Sequence, residues 1–255
     1  MSRVQARRAI FAAPFEELSE PALVAELAAK AERRGWDGFF VWDHVPYAEP
    51  VKALADPWVT LAAIATQTER VKIGPLVTPI PRRRPHQLAR ETVTLDRLSG
   101  GRLVLGVGLG SGVTGEFDPD RFGEEGDPKA RAKLLDDGLD RLLAYWEGEF
   151  EPRPVQRPRI PIWVAARWPR RKPLRRAARY EGLFPIDLPN PDALAQLADE
   201  LRAMRGNNRP FDLVAESPAG TDPTPWAEAG ATWCLTGFGR QPTRAEVEEA
   251  IEAGP

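Results

Sequence analysis

Gly38-Phe39-Phe40-Val41-Trp42-Asp43-His44 is the stretch on which the reading of this chain turns. The run from Phe39 to Trp42 is apolar on both parities, so it reads as a strand buried on both faces. It ends in an acid and an imidazole. In a parallel α/β barrel, polar residues at the carboxyl ends of strands carry the chemistry, which makes Asp43 and His44 the first candidates for a site. Each also has a plainer reading, because a His after a strand is often a satisfied structural residue and an Asp there can simply cap a turn.

Working outward, strand and helix alternate in both directions. Residues 8–13 form a plausible strand, followed by Ser19 as N-cap and Pro21 in the first turn of a helix to about Arg34. Leu23, Val24, Leu27, Ala28 and Ala31 give that helix one apolar face, and Gly35 stops it. Downstream, Asp56-Pro57 opens a helix carrying Trp58, Leu61, Ala62, Ile64 and Ala65, and Val71-Lys72-Ile73-Gly74 is a third strand. A helix over 86–98 stops at Ser99-Gly100-Gly101 before a fourth strand, 103–107. The stripe of Leu134, Leu135, Leu139, Leu142 and Leu143 marks a helix over 129–146. Four prolines in 151–161 make an extended connection to a fifth strand, Ile162-Trp163-Val164-Ala165.

The pattern continues with a basic helix near 173–180, strands at 183–185, 211–215 and 231–235, and helices at 191–205, near Trp226 and at 243–253. Eight strands, each followed by a helix, predict an α/β chain folded as a closed (β/α)8 barrel, with an open doubly wound sheet as the other arrangement the pattern allows.

The 255 residues suit a single domain over 1–255. With 35 basic and 37 acidic residues the net charge is -2, which gives no field favouring nucleic acid or an anionic membrane. One cysteine, Cys234, excludes an intrachain disulfide and fits a small core filler in a reducing, cytoplasmic setting. No apolar run of membrane-spanning length occurs, so a soluble protein with a small-molecule substrate is expected. The two histidines, His44 and His86, stand in no metal-ligand spacing, and no metal is expected.

The glycine run Gly106-Val107-Gly108-Leu109-Gly110-Ser111-Gly112 meets neither the dinucleotide pattern G-x-G-x-x-G nor the nucleophile elbow G-x-S-x-G. What it allows is close approach of backbone to a flat ligand, or no more than a turn. The cluster Arg82-Arg83-Arg84 reads as solvated surface. A second basic set, Arg167, Arg170, Arg171, Lys172, Arg175 and Arg176, surrounds the turn after the fifth strand, where helix N–H groups favour an anion such as a cofactor phosphate.

Several of these fragments together resemble the bacterial-luciferase-like family of flavin-dependent oxidoreductases. They are Trp42-Asp43-His44, Ile73-Gly74-Pro75-Leu76-Val77-Thr78-Pro79, the run Asp96-Arg97-Leu98-Ser99-Gly100-Gly101-Arg102 with Leu105-Gly106-Val107-Gly108, Pro161-Ile162-Trp163-Val164-Ala165, and Ala229-Gly230-Ala231-Thr232-Trp233. The resemblance runs from about Phe11 to the end and implies a (β/α)8 TIM barrel binding F420, or alternatively FMN, at the carboxyl ends of its strands. The Asp-His pair resembles the F420-dependent branch, in which the Asp contacts the deazaflavin and the His sits by its reactive carbon. It further implies a non-proline cis peptide at Leu76-Val77 backing the ring, with Thr78 beside it. Gly108, Leu109, Ser111 and Thr114 would lie along the cofactor, and Ala165, Ala166 and Arg167 near its phosphate.

Three departures qualify the transfer. Many relatives carry a Gly-Gly pair where this chain has Ala166-Arg167. Ser111 stands where some F420 relatives place a proton-donating Glu, so their sugar-phosphate chemistry does not carry over. The region after the fifth strand is short, implying a smaller or more open substrate pocket. The expectation is an oxidoreductase moving a hydride to or from F420, with His44 as acid, base or orienting group, since an imidazole titrates at ~6.5, and Asp43 holding cofactor or imidazole. The alternatives are an FMN-dependent monooxygenase and a barrel that binds flavin or deazaflavin without catalysis. A homodimer through the helix bearing Trp58, Leu61 and Ile64 is implied by resemblance alone, and those residues could equally be core.

Overall fold

The computed structural model describes residues 6–206 and 209–255. Among the described residues nine strand segments run parallel: β1 (Arg7–Ala12), β2 (Gly38–Val41), β3 (Lys72–Pro75), β4 (Thr78–Pro79), β5 (Leu105–Gly108), β6 (Ile162–Arg167), β7 (Gly182–Ile186), β8 (Asp212–Pro218) and β9 (Trp233–Gly237). Between them lie α1 (Pro21–Arg33), α2 (Pro57–Gln67), α3 (Pro85–Leu98), α4 (Pro119–Phe122), α5 (Pro128–Ala144), α6 (Lys172–Ala177), α7 (Pro191–Arg205), α8 (Thr224–Glu228) and α9 (Arg244–Ala253).

Neighbouring strands follow the order β3-β2-β1-β9-β8-β7-β6-β5-β4. The two ends of that order meet, because Val104 N donates to the Ile73 carbonyl at 2.8 Å and Ile73 N to that of Arg102 at 3.1 Å. β3 and β4 are therefore halves of one strand, interrupted at Leu76–Val77, whose peptide is cis as the resemblance implied. The eight expected strand–helix units thus close into a (β/α)8 barrel, and the open sheet falls away. The segment between β6 and β7 is short, holding only the six-residue α6.

Two apolar layers hold the barrel. Inside it, Phe11, Phe40, Leu76, Trp163, Phe184 and Trp233 form a plug, with ring centroids 5.3 Å apart for Phe40 and Trp163 and 5.5 Å for Trp163 and Trp233. Outside it, the alternate strand residues meet the helices, and there Trp58, Leu61 and Ile64 of α2 are buried, so they are core. Cys234 is buried there too.

The Asp96–Arg102 segment is a structural staple. Buried Arg102 donates to the carbonyls of Ala65, Thr68, Val71 and Ser99, and buried Asp96 accepts from the backbone of Val155 and Gln156, which moors the proline-rich connection. A guanidinium with several donors can satisfy several buried carbonyls at once.

Two local expectations change. Ser19 does not cap α1, because residues Glu16–Ser19 make a 3-10 turn in which its hydroxyl bonds the Glu16 carbonyl, leaving Glu20 at the N-cap. The helix of 128–144 ends in a π turn, Tyr145–Glu149, before the proline segment.

Glycine at 74 is required by the closure itself, since a Cβ there would overlap the carbonyl of Val104, the residue whose N–H bonds across the seam. Gly74→Ala is expected to lower unfolding free energy by about 2–3 kcal/mol through overpacking; an unchanged denaturant midpoint would show that the seam yields.

Candidate active site

Parallel strands place every carboxyl end on one rim, so Asp43 and His44 after β2, Thr78 in β4, Gly108 ending β5, Arg167 ending β6 and Glu216 in β8 share that face. The rim is not uniform. Its β2–β5 side carries a polar cluster and its β7–β9 side a cavity.

Asp43 is the centre of the cluster. Its carboxylate has no exposed surface and accepts from Arg82 Nη2 at 2.8 Å, from Arg83 Nη2 at 3.0 and 2.9 Å, and from the Thr78 hydroxyl at 2.8 Å. Burial pushes this carboxyl upward, but Arg83 and Arg82 together with the two hydrogen bonds outweigh it and hold the group below the ordinary carboxylate range. Arg82 and Arg83, read from sequence as solvated surface, are instead 7% and 18% exposed at their side chains and neutralise the acid. Only Arg84 of that triplet is left as an uncommitted N-cap residue.

Asp43 thus faces its own chain's cations. Its carboxylate is taken up by two guanidiniums and a hydroxyl.

His44 stands beside this cluster with Nδ1 3.3 Å from Glu116 Oε2. Glu116 is fully buried, receives the Ser111 backbone N–H at 3.4 Å and lies 3.7 Å from Arg82 Nε. This second acid was missed in the sequence, although it sits five residues after Ser111 in the same loop. Around the imidazole, Phe15, Trp42 and Tyr47 form an aromatic wall, with Tyr47 edge-on at 4.9 Å.

The glycine-rich loop serves packing first. A Cβ on Gly106 would strike Leu76 and the Pro75 carbonyl, one on Gly108 would lie 2.8 Å from Val77, and one on Gly110 would enter the Phe117 ring. The space their missing side chains leave is filled by this chain. The Thr114 hydroxyl braces the same loop by donating to the Ser111 carbonyl at 2.9 Å.

On β6, Ala166 faces outward into the helical layer, Ala165 is half-buried and Arg167 pairs with Asp187. The later basic set is likewise compensated in part, through Arg171–Glu200 at 2.8 Å and Arg176–Asp136 at 2.6 Å. The fold therefore gathers Asp43, His44 and Thr78 into one cluster, with Leu76, Val77 and Gly108 adjoining; Ala165 borders Gly108 from the next strand, while Ala166 turns outward and Arg167 pairs elsewhere.

Across the rim, Glu216 lines the cavity near its mouth, and its side chain is exposed there. Burial, and then repulsion from Asp187, push its carboxyl up to about 7. The unfolded chain ionises this group at ~4.3, so stability is full below that pH and falls as pH rises toward 7, where the folded form must also ionise. Glu216→Gln removes the effect, which solvent at the open mouth screens to a small size: its melting temperature should exceed the parent's by about a degree at pH 8 and match it at pH 4, as read by thermal unfolding. An offset of the same size at both values would refute this origin.

Comparison with known proteins agrees with the architecture. An uncharacterized protein of Mycobacterium tuberculosis is 30% identical over 257 residues, covering 86% of each chain. An F420-dependent secondary alcohol dehydrogenase, solved with an F420-acetone adduct, superposes with a TM-score of 0.77 over 97% of this chain and 98% of its own at 18% identity. The oxygenating constituent of 3,6-diketocamphane monooxygenase from Pseudomonas putida, solved with FMN, gives 0.67 over 86% and 69% at 17% identity. At such identities these two likenesses speak for the fold alone. The sequence profile of the luciferase-like monooxygenases matches residues 9–253, and on that match, carried by a closed barrel with its polar cluster on the carboxyl rim, the chain belongs to the luciferase-like monooxygenase family.

Proposed function

We propose that this chain is an oxidoreductase that moves a hydride between coenzyme F420 and a small organic substrate, with His44 and Glu116 as its acid–base pair. The observation carrying this reading is the 3.3 Å approach of His44 Nδ1 to a carboxylate with no exposed surface. With Nδ1–H donating to Glu116, the imidazole is held in one tautomer and Nε2 is the nitrogen free to take or give a proton. Asp43 acts one step back, fixing Arg82 and Arg83, and Arg82 in turn leans on Glu116. Phe15, Tyr47 and Trp42 wall the imidazole and leave its side chain 18% exposed.

The rim suits a flat, polar-edged ring. Trp42, Val77 and Ile186 cap the interior plug as a partly buried apolar floor, and the buried indole N–H of Trp42 has no partner among the described residues. Those side chains, with Leu76, would hold the ring; Gly108, Leu109 and Ser111 would run beside it, and Ala165 and Arg167 would meet its tail. The chemistry supplied when F420 is bound is hydride transfer at its C5 carbon.

The structural likeness to an F420-dependent alcohol dehydrogenase supports this choice. A second reading, an FMN-dependent monooxygenase, is favoured by the FMN-bound neighbour. The two separate in a turnover panel: loss of the oxidised F420 chromophore with secondary alcohols in the absence of oxygen supports the first. Oxygenated product from ketones with reduced FMN and oxygen, and no F420 turnover, would replace it with the second.

A further inference from the structure

We infer that the cavity on the β7–β9 side of the rim is a substrate pocket for a compound bearing a protonated amine, with Glu216 as the group that recognises it. This inference rests on the proposed function only for the word substrate, because the ligand class follows from the cavity. Its volume is about 580 Å³, inside the ~300–1,000 Å³ range of small-molecule sites. It lies at the ends of β7, β8 and β9, whereas the residues assigned to the cofactor run from Trp42 after β2 to Arg167 on β6, and Ile186 at the end of β7 stands between the two.

Glu216 belongs to this space by strand geometry. Val214, two residues earlier, is part of the interior plug, so by alternation Glu216 faces the same interior one step nearer the mouth. Its Oε1 lies 2.5 Å from where a Cβ on Gly237 would stand, so the glycine at the end of β9 leaves the room the carboxylate occupies.

The charge balance decides the ligand. Three acids line the cavity, and two of them are committed: Asp187 pairs with Arg167, and Glu246 closes the capping box of α9 with Thr243. Glu216 has no hydrogen bond or ion pair among the described residues, and its one charged neighbour of note, Asp187, repels it. A carboxylate so placed gains most from a cation that donates hydrogen bonds. Pro185, Leu188, Pro218 and Phe238 offer an apolar wall for the rest of such a molecule. An anionic ligand would meet repulsion from Glu216 and Asp187, and a neutral alcohol would gain only an uncharged hydrogen bond.

The test uses 2-phenylethylamine, 2-phenylethanol and 3-phenylpropionate as matched probes at pH 8, followed by ligand-observed NMR on the whole chain with and without F420 or FMN. The amine is expected to bind at least ~10-fold more tightly than the other two, the span of one charge-assisted hydrogen bond. Glu216→Gln should erase that preference, and Gly237→Ala, which crowds the carboxylate from below, should weaken amine binding several-fold. Both variants are checked for folding by thermal melts. Equal binding of the three probes, an amine preference that survives Glu216→Gln, or no probe binding in any state would overturn the inference. Titration of F420 and FMN into the same samples reads the cofactor assignment separately, so an amine pocket without either cofactor would refute the proposed function and leave the pocket standing.

Discussion

An Asp43→Asn variant unfolds at markedly lower denaturant than the parent, with a loss of about 3–5 kcal/mol. The substitution keeps shape and removes charge, leaving Arg82 and Arg83 buried against a neutral amide, and breaking a buried ion pair from one side costs about that much. Glu116, 3.7 Å from Arg82, compensates in part, so the lower end is expected. For a chain of this size each kcal/mol is worth ~2–4 °C, which makes the loss visible in a simple melt.

The pH dependence follows from the sign. Asp43 is held below the usual range in the folded state, so its stabilisation is present above the unfolded pKa of ~3.9 and is lost as pH falls through the lower folded value. The stability curves of parent and variant should therefore lie apart at pH 7 and converge in strong acid. A loss under 1 kcal/mol at neutral pH would mean the guanidiniums find other partners, and the cluster would then not be the anchor of the rim.

The second large effect is on turnover. His44→Ala is expected to lower kcat by about 10²–10⁴-fold, the range of a lost general acid or base, with cofactor affinity changed only a few-fold. Glu116→Gln keeps a hydrogen-bonding side chain at the same place and should lose about 10-fold or more. If the two act as one unit, the double variant is no worse than His44→Ala alone, since losses within a catalytic unit do not add. Additive losses would separate Glu116 from the imidazole and assign it to the loop it braces through Ser111.

Much of the barrel was legible because its signals are periodic. The strand of Gly38–Val41 is buried on both faces and the helix of Pro191–Arg205 carries its own caps, so each declares itself within a short window. The break between β3 and β4 has no such local sign and was anticipated only through resemblance.

The candidate site was legible at Asp43 and His44 and opaque around them. Arg82 and Arg83 look like surface in composition, and their burial depends on an acid 39 and 40 residues earlier in the chain. Glu116 lies beyond the glycine run in a loop with no periodicity, so nothing local marks it as the partner of His44. Glu216 was closer to reach: extending the strand at 211–215 by three residues to Pro218 puts it on the same parity as Val214, one step nearer the open mouth of the barrel. Ser19 misled because the 3-10 turn before α1 engages the hydroxyl that a cap would need.

The most direct test of the functional account is titration of the purified chain with F420 and, separately, FMN, followed by the fluorescence of its eight tryptophans, one of which, Trp42, stands on the floor of the rim. The account predicts saturable quenching by F420 at much lower concentration than by FMN, with the Trp42 response lost in Trp42→Phe. Preference for FMN, or no binding of either, would contradict it.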